Sequence, residues 1–521
     1  MPRNRNKRVV KKDSEDEYDD TLPISDESGS EDENNPINEE IIFPGLVLKG
    51  DYILLKKIGY GNNAGVWMTY QISSKSYLAI KIQDNECYED GCREVAIIKK
   101  INAYARQQYS LKDKADSNKT YQNIHCVKML DYFVYEEDDK TRFVCSVYDL
   151  YAGSIFMVLD TGKHKYGLPI DVVKTITKQL LTALIVLHHN LRIIHTDIKP
   201  ENILFKGTPI HHLKIIELFT NSGFQQKYEQ LVIACAGNKK KLQEELEILA
   251  SESVKDICNL DENINDNEEF MPDDEDDDEF IEGEDDDLDE SGSEDEKNIL
   301  STRRQSVNDL IEHLDYTEMH DIEDEGKYDF VSILNNRVNG TTTDTKEVID
   351  DTYILNCETA LTDFGNAYFY EKRTRNEIQD RRYRAPEIIL DFNYGFACDM
   401  WSVGCVVFEL LTGFALFAPE RDPLTKDIHH LFLMEKMLGP LPLAMKKKSK
   451  RCRFLFDPKR NYHIKNAKEF NSMSIKERLV KQFLFSETDA EQISNFLLCT
   501  LKYNPSDRMT AKDLINHQWL N

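Results

Sequence analysis

The chain has 521 residues and a formal net charge of −29, and its acidic residues are concentrated in a few runs. A chain of this length can bury at least one large core, and an acidic balance argues against nonspecific nucleic-acid binding while being compatible with basic partners. Eleven cysteines stand singly, without a Cys-x-x-Cys pair or metal-ligand spacing, which indicates reduced thiols in an intracellular protein. The apolar runs are too short to span a bilayer, so we expect no membrane contact.

Residues 1–44 form a polar segment of low complexity. A basic cluster occupies residues 3–12, and an acidic, Ser/Asn-rich stretch follows at 14–40. Composition of this kind predicts disorder. The basic cluster fits either a nuclear-import signal or a plain solvated tail. Because the N-terminus lacks the apolar core of a secretory signal, we expect the protein in the cytoplasm, the nucleus or both.

Order is predicted from about residue 45, where two strands are joined by a glycine-rich turn. The turn has the sequence IGYGNNAGV at residues 58–66. Gly59 and Gly61 let the backbone come close to nucleotide phosphates. The third glycine of the G-x-G-x-x-G-x-V pattern is Ala64 here, and Gly65 stands one place late. Since a lone G-x-G is weak evidence, nucleotide binding depends on the motifs that follow.

A lysine and a glutamate come next, in the order expected for a phosphate-binding pair. The segment LAIK ends at Lys81, and a helical stretch then carries Glu94. Lys81 is predicted to bind the phosphates and Glu94 to orient it. Each residue alone fits an exposed surface position, but that interpretation explains the whole set poorly.

Residues 194–204, IHTDIKPENIL, form a short polar loop after a helix with apolar residues every three to four positions. Asp197 can accept a proton from a hydroxyl, and Lys199 can neutralise charge on a moving phosphoryl group. Asn202 can hold a metal ion. Singly these would be solvated turn residues, but their spacing matches H-R-D-x-K-x-x-N, with Thr196 in place of the arginine.

The pattern is then interrupted at residues 207–356. Within this insert, residues 273–296 hold 17 acidic residues out of 24 and no basic residue. Such a run repels itself, so the insert is predicted to be largely disordered. The string DESGSEDE occurs at residues 26–33 and again at 289–296, which indicates low-complexity sequence.

Further motifs occupy the C-terminal part of the chain from residue 357. They are DFG (Asp363, Phe364, Gly365), RYRAPE ending at Glu387, DMWSVGC opening at Asp399 and NPSDR ending at Arg508.

In this order the motifs resemble those of eukaryotic Ser/Thr protein kinases of the CMGC group, over residues 50–206 and 357–521. The resemblance implies an α+β, bilobal kinase fold with a small β-rich N-lobe and a larger helical C-lobe. It divides the chain into a tail at 1–44, the N-lobe and catalytic loop at 45–206, the insert at 207–356 and the rest of the C-lobe at 357–521. The catalytic loop, the acidic insert and Gly-Asn-Ala after Asp-Phe look like the SR-protein kinases. The sequence HLFLMEKMLGPLP at 430–442 is instead similar to the LAMMER (Clk-like) kinases.

The resemblance also implies ATP and Mg2+ as cofactors and gives each matched residue a role. Asp197 and Lys199 are the expected catalytic residues, and Asn202 and Asp363 the expected Mg2+ ligands. The expected ATP-binding residues are Ile58, Gly59, Gly61, Val66, Ala79, Lys81, Glu94, Tyr148, Asp149 and Tyr151, of which Tyr148 is the gatekeeper and the last two supply hinge backbone contacts. The expected structural residues are Phe364, Gly365, Asp399 as a brace for the catalytic loop, and Glu387 paired with Arg508.

The sequence therefore predicts a monomeric, SR-protein-kinase-like enzyme that phosphorylates serine or threonine of protein substrates. A dual-specificity LAMMER-type kinase is the nearest alternative. A pseudokinase scaffold that binds basic partners through its acidic segments is an alternative from another class.

Two departures from the family pattern bear on substrates and regulation. Phe414, His429 and Lys436 stand where SR-protein kinases carry the acids of their docking groove, so arginine-serine substrates follow from the resemblance and not from these residues. Thr196 lacks the charge that pairs with an activation-segment phosphate. We therefore expect activity without phosphorylation of Thr374 or Tyr383.

Overall fold

The computed structural model describes residues 42–61, 64–83, 86–112, 123–137, 141–160, 164–262, 357–372, 378–419, 425–465 and 472–521. Contacts divide the chain into Met1–Phe43, of which only residues 42–43 are described, and Pro44–Asn521. The acidic run at 273–296 and Thr374 also lie outside the described residues.

A six-stranded antiparallel sheet forms the N-lobe in the described part of the chain, with strand order β1-β2-β3-β4-β6-β5. These strands are rich in β-branched and aromatic residues, which suit a pleated surface with a buried face. One helix, α1 (Tyr88–Lys112), packs on β5 and β6. The strands are β1 (Val47–Leu48), β2 (Tyr52–Gly61), β3 (Ala64–Gln71), β4 (Ser76–Gln83), β5 (Met129–Glu136) and β6 (Arg142–Tyr148).

Short strands around the catalytic loop connect the lobes. A three-stranded sheet has the order β10-β9-β7, and a two-stranded one pairs β11 with β8. The first of them, β7, follows a linker after β6 and leads into the helices α2 (Ile155–Asp160) and α3 (Ile170–Leu184). Helix α3 continues as a wider π turn over Ile185–Leu191, and the other strands come after it. The strands are β7 (Tyr151–Ser154), β8 (Ile193–Ile194), β9 (Ile203–Lys206), β10 (Thr359–Leu361) and β11 (Tyr368–Phe369).

The C-lobe is helical and surrounds α9, whose residues are nearly all buried. Its helices are α8 (Pro386–Ile389), α9 (Ala397–Thr412), α10 (Lys426–Leu438), α11 (Leu443–Lys448), α12 (Cys452–Leu455), α13 (Ile475–Lys481), α14 (Glu487–Thr500) and α15 (Ala511–Leu514), with one small hairpin of β12 (Phe456–Asp457) and β13 (His463–Ile464). One continuous apolar core joins this lobe to α1 and β6. The predicted bilobal kinase fold is confirmed.

The prediction of a largely disordered insert from residue 207 is wrong for the beginning of that segment. Four helices occupy it: α4 (Ile210–Asn221), α5 (Phe224–Ala234), α6 (Lys239–Ser253) and α7 (Lys255–Glu262). They share a second apolar core with the outer face of β2 and β3, because their buried side chains recur at helical spacing. The buried insert residues of that core are Ile215, Phe219, Phe224, Leu246, Leu249, Ala250, Val254 and Ile257.

Candidate active site

Asp399, in the first turn of α9, fixes the backbone of the catalytic loop. Its Oδ2 accepts hydrogen bonds from the backbone N of His195 at 2.8 Å and from Nε2 of His188 at 2.7 Å. Its Oδ1 accepts from the backbone N of Thr196 at 2.8 Å. The carboxylate is fully buried, so these donors replace the water that it loses on burial. The contact predicted for Asp399 is present.

The three polar residues of the catalytic loop lie together. Nδ2 of Asn202 donates to the backbone O of Asp197 at 2.8 Å and to its Oδ2 at 3.1 Å. Nζ of Lys199 lies 3.3 Å from the same Oδ2. Burial alone would lower the pKa of Lys199, but Asp197, Asp380 and Glu201 outweigh it and raise the pKa above its usual value. Lys199 therefore stays a cation beside the carboxylate of Asp197.

Lys81 connects the N-lobe to the D-F-G segment. Its Nζ lies 3.0 Å from Oε2 of Glu94 and 2.8 Å from Oδ1 of Asp363. Burial would lower the pKa of Lys81, but the two carboxylates hold it above the usual range. Burial would likewise raise the pKa of Asp363, and Lys81 keeps it lowered. Glu94 also accepts from the backbone N of Phe364 at 3.3 Å, so β4, α1 and the D-F-G segment meet at one ionic cluster.

The remaining residues of the predicted nucleotide site lie on the strands above this cluster. Val66 is paired with Lys81 across β3 and β4, and Ala79 with Tyr148 across β4 and β6. Tyr148 is buried at the end of β6, and Asp149 leads from it into β7. The other predicted members are Ile58, Gly59 and Gly61 on β2 and Tyr151 at the start of β7. The strand register thus places most of the predicted set on the neighbouring strands β2, β3, β4 and β6.

The segment before α8 is held by a network that the sequence did not indicate. The buried amide of Gln379 donates from Nε2 to the backbone O of Cys398 at 2.9 Å and to Oγ of Ser402 at 2.8 Å. Its Oε1 accepts from the backbone N of Ala385 at 2.9 Å. Gln379 itself has a left-handed φ of 68°. A lone glutamine carries no motif signal, so only the fold reveals this role.

The predicted pair of Glu387 and Arg508 is present as a bidentate ion pair, with distances of 2.7 Å and 2.6 Å. Both side chains are fully buried. Removing one partner of a buried pair leaves an uncompensated charge, so this contact joins the end of the RYRAPE motif to the C-terminal part of the C-lobe.

Thr196 takes the place of the arginine in the H-R-D pattern. It has a left-handed φ of 67°, and its Oγ1 donates to the backbone O of Asn366 at 2.7 Å. His195 makes a parallel contact from Nε2 to the backbone O of Thr362 at 2.9 Å. The catalytic loop therefore holds the residues at and beside the D-F-G segment directly, and the contact from Thr196 is made by an uncharged hydroxyl.

The oxygen donors at this point fit a magnesium ion. Because both contacts of Nδ2 of Asn202 go to Asp197, the amide oxygen is left to accept or coordinate. A carboxylate of Asp363 lies on the facing segment. Mg2+ prefers few protein oxygens together with waters and phosphates, which this donor set allows. Within the described ranges there is no cluster of three or more His, Cys, Asp or Glu that could hold a metal by itself.

Comparison with known proteins identifies the class. The family model "Protein kinase domain" matches residues 52–236 and 352–520, so the chain belongs to the protein kinases. A crystal structure of a kinase domain aligns with a TM-score of 0.53 at 18% identity, covering 92% of this chain and 98% of that one, which supports the fold. Members of this family use ATP and a divalent metal, and their substrates are proteins.

Several relatives align over nearly the whole chain. A putative serine/threonine-protein kinase L205 of Acanthamoeba polyphaga mimivirus is 50% identical, covering 99% of this chain and 96% of the relative. Protein kinase dsk1 of Schizosaccharomyces pombe is 26% identical, covering 90% and 80%. SRSF protein kinase 3 of Mus musculus is 25% identical, covering 92% and 87%. The predicted membership of the protein kinases, with SR-protein-kinase relatives, is confirmed. No helix among the described residues combines the length and hydropathy needed to cross a membrane.

Proposed function

We propose that this chain is a serine/threonine protein kinase that transfers the γ-phosphate of ATP to hydroxyl groups of protein substrates. The observation that carries the proposal is that two polar pairs, Asp197 with Asn202 and Lys81 with Asp363, lie on segments that contact each other. The backbone N of Thr362 donates to the backbone O of Asn202 at 3.0 Å, and Glu94 of α1 binds the D-F-G segment. The relatives named as serine/threonine kinases support it, as does Lys199 beside Asp197.

The chemistry assigned to each residue follows from its charge and contacts. Asn202 and Asp363 would hold Mg2+, which would neutralise part of the charge of the ATP phosphates. Lys81 binds the phosphates. Asp197 orients the substrate hydroxyl and takes its proton while the new bond from oxygen to γ-phosphorus forms and the bond to the bridging oxygen breaks. Lys199 offsets the negative charge of the transferred group.

A cleft of about 220 Å3 next to the base has room for the acceptor side chain. The residues that line it include Asp197, Lys199, Tyr368, Gln379 and Arg384. The acceptor hydroxyl is proposed to enter here. The hinge from Tyr148 to Tyr151 is proposed to receive adenine.

For substrates we propose single serines or short basic motifs. Both acids of α10 are engaged inside the protein: Asp427 pairs with Arg381 and, at 2.5 Å, with Arg451. Glu435 pairs with Lys446 at 2.7 Å. Carboxylates neutralised in this way attract a polyarginine tract weakly, and so we expect little processivity along arginine-serine repeats.

The residues at the presumed docking positions add no acid to this surface. Phe414 is only 6% exposed and packs on Phe483 with ring centroids 5.7 Å apart, so it belongs to the core and does not line an open groove. Lys436, partly buried on α10, would repel arginine.

The decisive experiment is phosphorylation of a degenerate peptide library by the purified full chain with Mg-ATP, with Asp197→Asn as the inactive control. Transfer to serine or threonine that depends on Asp197 supports the function. Equal transfer to tyrosine favours the dual-specificity alternative, and no transfer favours the scaffold. Comparing a long arginine-serine repeat with a single-site peptide then measures processivity. High processivity would contradict the substrate proposal. Action as a monomer and a location in the cytoplasm or nucleus remain predictions.

A further inference from the structure

We propose that Arg93 is a positioning residue that holds the D-F-G segment in its catalytic conformation from helix α1. The inference rests on the proposed kinase function and concerns a residue next to Glu94 that no sequence motif singles out. Nη2 of Arg93 donates to the backbone O of Gly365 at 2.9 Å and lies 2.8 Å from Oδ1 of Asp90, one turn earlier on the helix.

Two adjacent residues of α1 thus bind the backbone of two adjacent residues of the D-F-G segment. Glu94 accepts from the backbone N of Phe364, and Arg93 donates to the backbone O of Gly365. The polarities are opposite, so a sliding or rotated α1 cannot satisfy both. Because a hydrogen bond from a charged donor is among the strong ones, the pair couples the position of the helix to that of the segment.

The guanidinium is also fixed by its surroundings. Its Cζ lies 5.2 Å from the ring centroid of Tyr368, just beyond the D-F-G segment. Nε of Arg93 is buried and has no hydrogen-bond partner among the described residues, so the Nη2 contacts and the ring set its position. Asp90 neutralises part of its charge through the same Nη2.

A second cation extends the contact along the same helical face. Lys100, two turns after Arg93, places Nζ 4.5 Å from the ring centroid of Phe369. Tyr368 and Phe369 form β11, which pairs with Ile193 and Ile194 of β8 directly before the catalytic loop. A displacement of α1 is therefore transmitted to both the metal-binding segment and the catalytic loop.

This arrangement suits a catalytic loop that lacks the usual arginine. Thr196 makes an uncharged contact with the backbone O of Asn366, whereas Arg93 binds the backbone O of the neighbouring Gly365 through a charged donor. Losing Arg93 should leave Lys81 and Glu94 able to pair but let Asp363 leave its position. The expected signature is a fall in kcat with the KM for ATP near the wild-type value.

The test compares Arg93→Ala and Arg93→Lys with Lys99→Ala in the full chain. Lys99 is the matched control, because its Nζ lies 3.6 Å from the ring centroid of Tyr132 and so contacts β5 rather than the D-F-G segment. Arg93→Ala should lower kcat about tenfold or more, since a hydrogen bond from a charged donor is lost. Arg93→Lys should recover part of it, and Lys99→Ala should match the wild type.

Amide hydrogen exchange gives a reading that does not need activity. Peptides covering residues 362–369 should exchange faster in Arg93→Ala than in Lys99→Ala and wild type. If the wild-type chain transfers no phosphate, the kinase proposal fails and exchange alone decides this inference. If Arg93→Ala does not fold, Arg93→Gln against Arg93→Lys replaces it, because both keep the stem and only lysine keeps the charge. Wild-type kcat and exchange in the folded alanine or glutamine variant would overturn the proposal.

Discussion

Phe219→Ala tests whether the helices that open the insert belong to the kinase core. The ring of Phe219 is 2% exposed on α4 and lies 5.0 Å from Tyr70 and 5.3 Å from Phe224, measured between ring centroids. Tyr70 belongs to β3, and its hydroxyl donates to Oε1 of Gln225 on α5 at 2.9 Å. The substitution therefore opens a cavity between the insert and the N-lobe sheet.

The expected cost is about 3–5 kcal/mol, the usual range for truncating a buried phenylalanine. A domain has a total stability of about 5–15 kcal/mol, so this is a large fraction. With about 2 °C of Tm per kcal/mol for a domain of this size, Tm should fall by roughly 6–10 °C. The assay is thermal and urea unfolding of the full chain.

Ile233→Ala is the matched control, because Ile233 lies on α5 and is 79% exposed. Its Tm should stay at the wild-type value, as surface substitutions usually change stability by less than about 0.5 kcal/mol. Equal Tm values for the Phe219→Ala and Ile233→Ala variants would refute the idea that the insert helices stabilise the N-lobe. Deleting residues 261–297 should leave the Tm and peptide phosphorylation intact, whereas deleting 210–262 should yield unstable protein.

Three further predictions concern the site. Asp197→Ala and Asp363→Ala should each lower kcat by about 10²–10⁴-fold or more in normally folded protein, measured by peptide phosphorylation; near-wild-type activity in either would exclude the mechanism. Phosphatase-treated enzyme should keep its activity because Thr196 holds the D-F-G segment without a phosphate; a large loss restored by phosphorylating Tyr383 would show the opposite. Burial is the main cause that raises the pKa of Glu409 to about 7. The stability that its protonated form contributes is therefore fully present below about pH 4.5, and about 3 kcal/mol of it is lost as the pH rises through 7. Urea unfolding of Glu409→Gln from pH 5 to 8 should lose this slope, and an unchanged slope would contradict the assignment.

The catalytic constellation could be predicted from the sequence because its members occupy short motifs. Asp197, Lys199 and Asn202 lie within one loop, so their spacing alone brings them together. Lys81 and Glu94, thirteen positions apart, meet because a strand and the next helix are neighbours in space. For the structural pair of Glu387 and Arg508 only the motif order gave a hint, yet the contact is present.

The contacts that the sequence did not reveal are long-range or depend on backbone conformation. Tyr70 and Gln225 are 155 positions apart, and neither belongs to a motif. The prediction of disorder for the whole insert is based on the acidic run at 273–296. Apolar residues at helical spacing lie before that run and form the helices of residues 210–262. Arg93 and Gln379 act through backbone carbonyls and amides, which impose no residue pattern on their partners.

The position of the insert explains why the fold tolerates it. It leaves after β9 and returns before β10, and these strands are antiparallel neighbours with Leu204 opposite Ala360. The return is fixed at once, because Nε2 of Gln179 on α3 donates to the backbone O of Cys357 at 2.8 Å. Each doubling of a flexible loop costs only about 0.6 kcal/mol, so added length between two anchored ends is a small penalty. The first helices offset more than this by burying Phe219 and Phe224 against the N-lobe. Strand β9 carries the end of the catalytic loop, so the insert helices connect that loop to β2 and β3 by a second route in addition to the hinge. A movement of one lobe relative to the other must therefore bend or displace these helices.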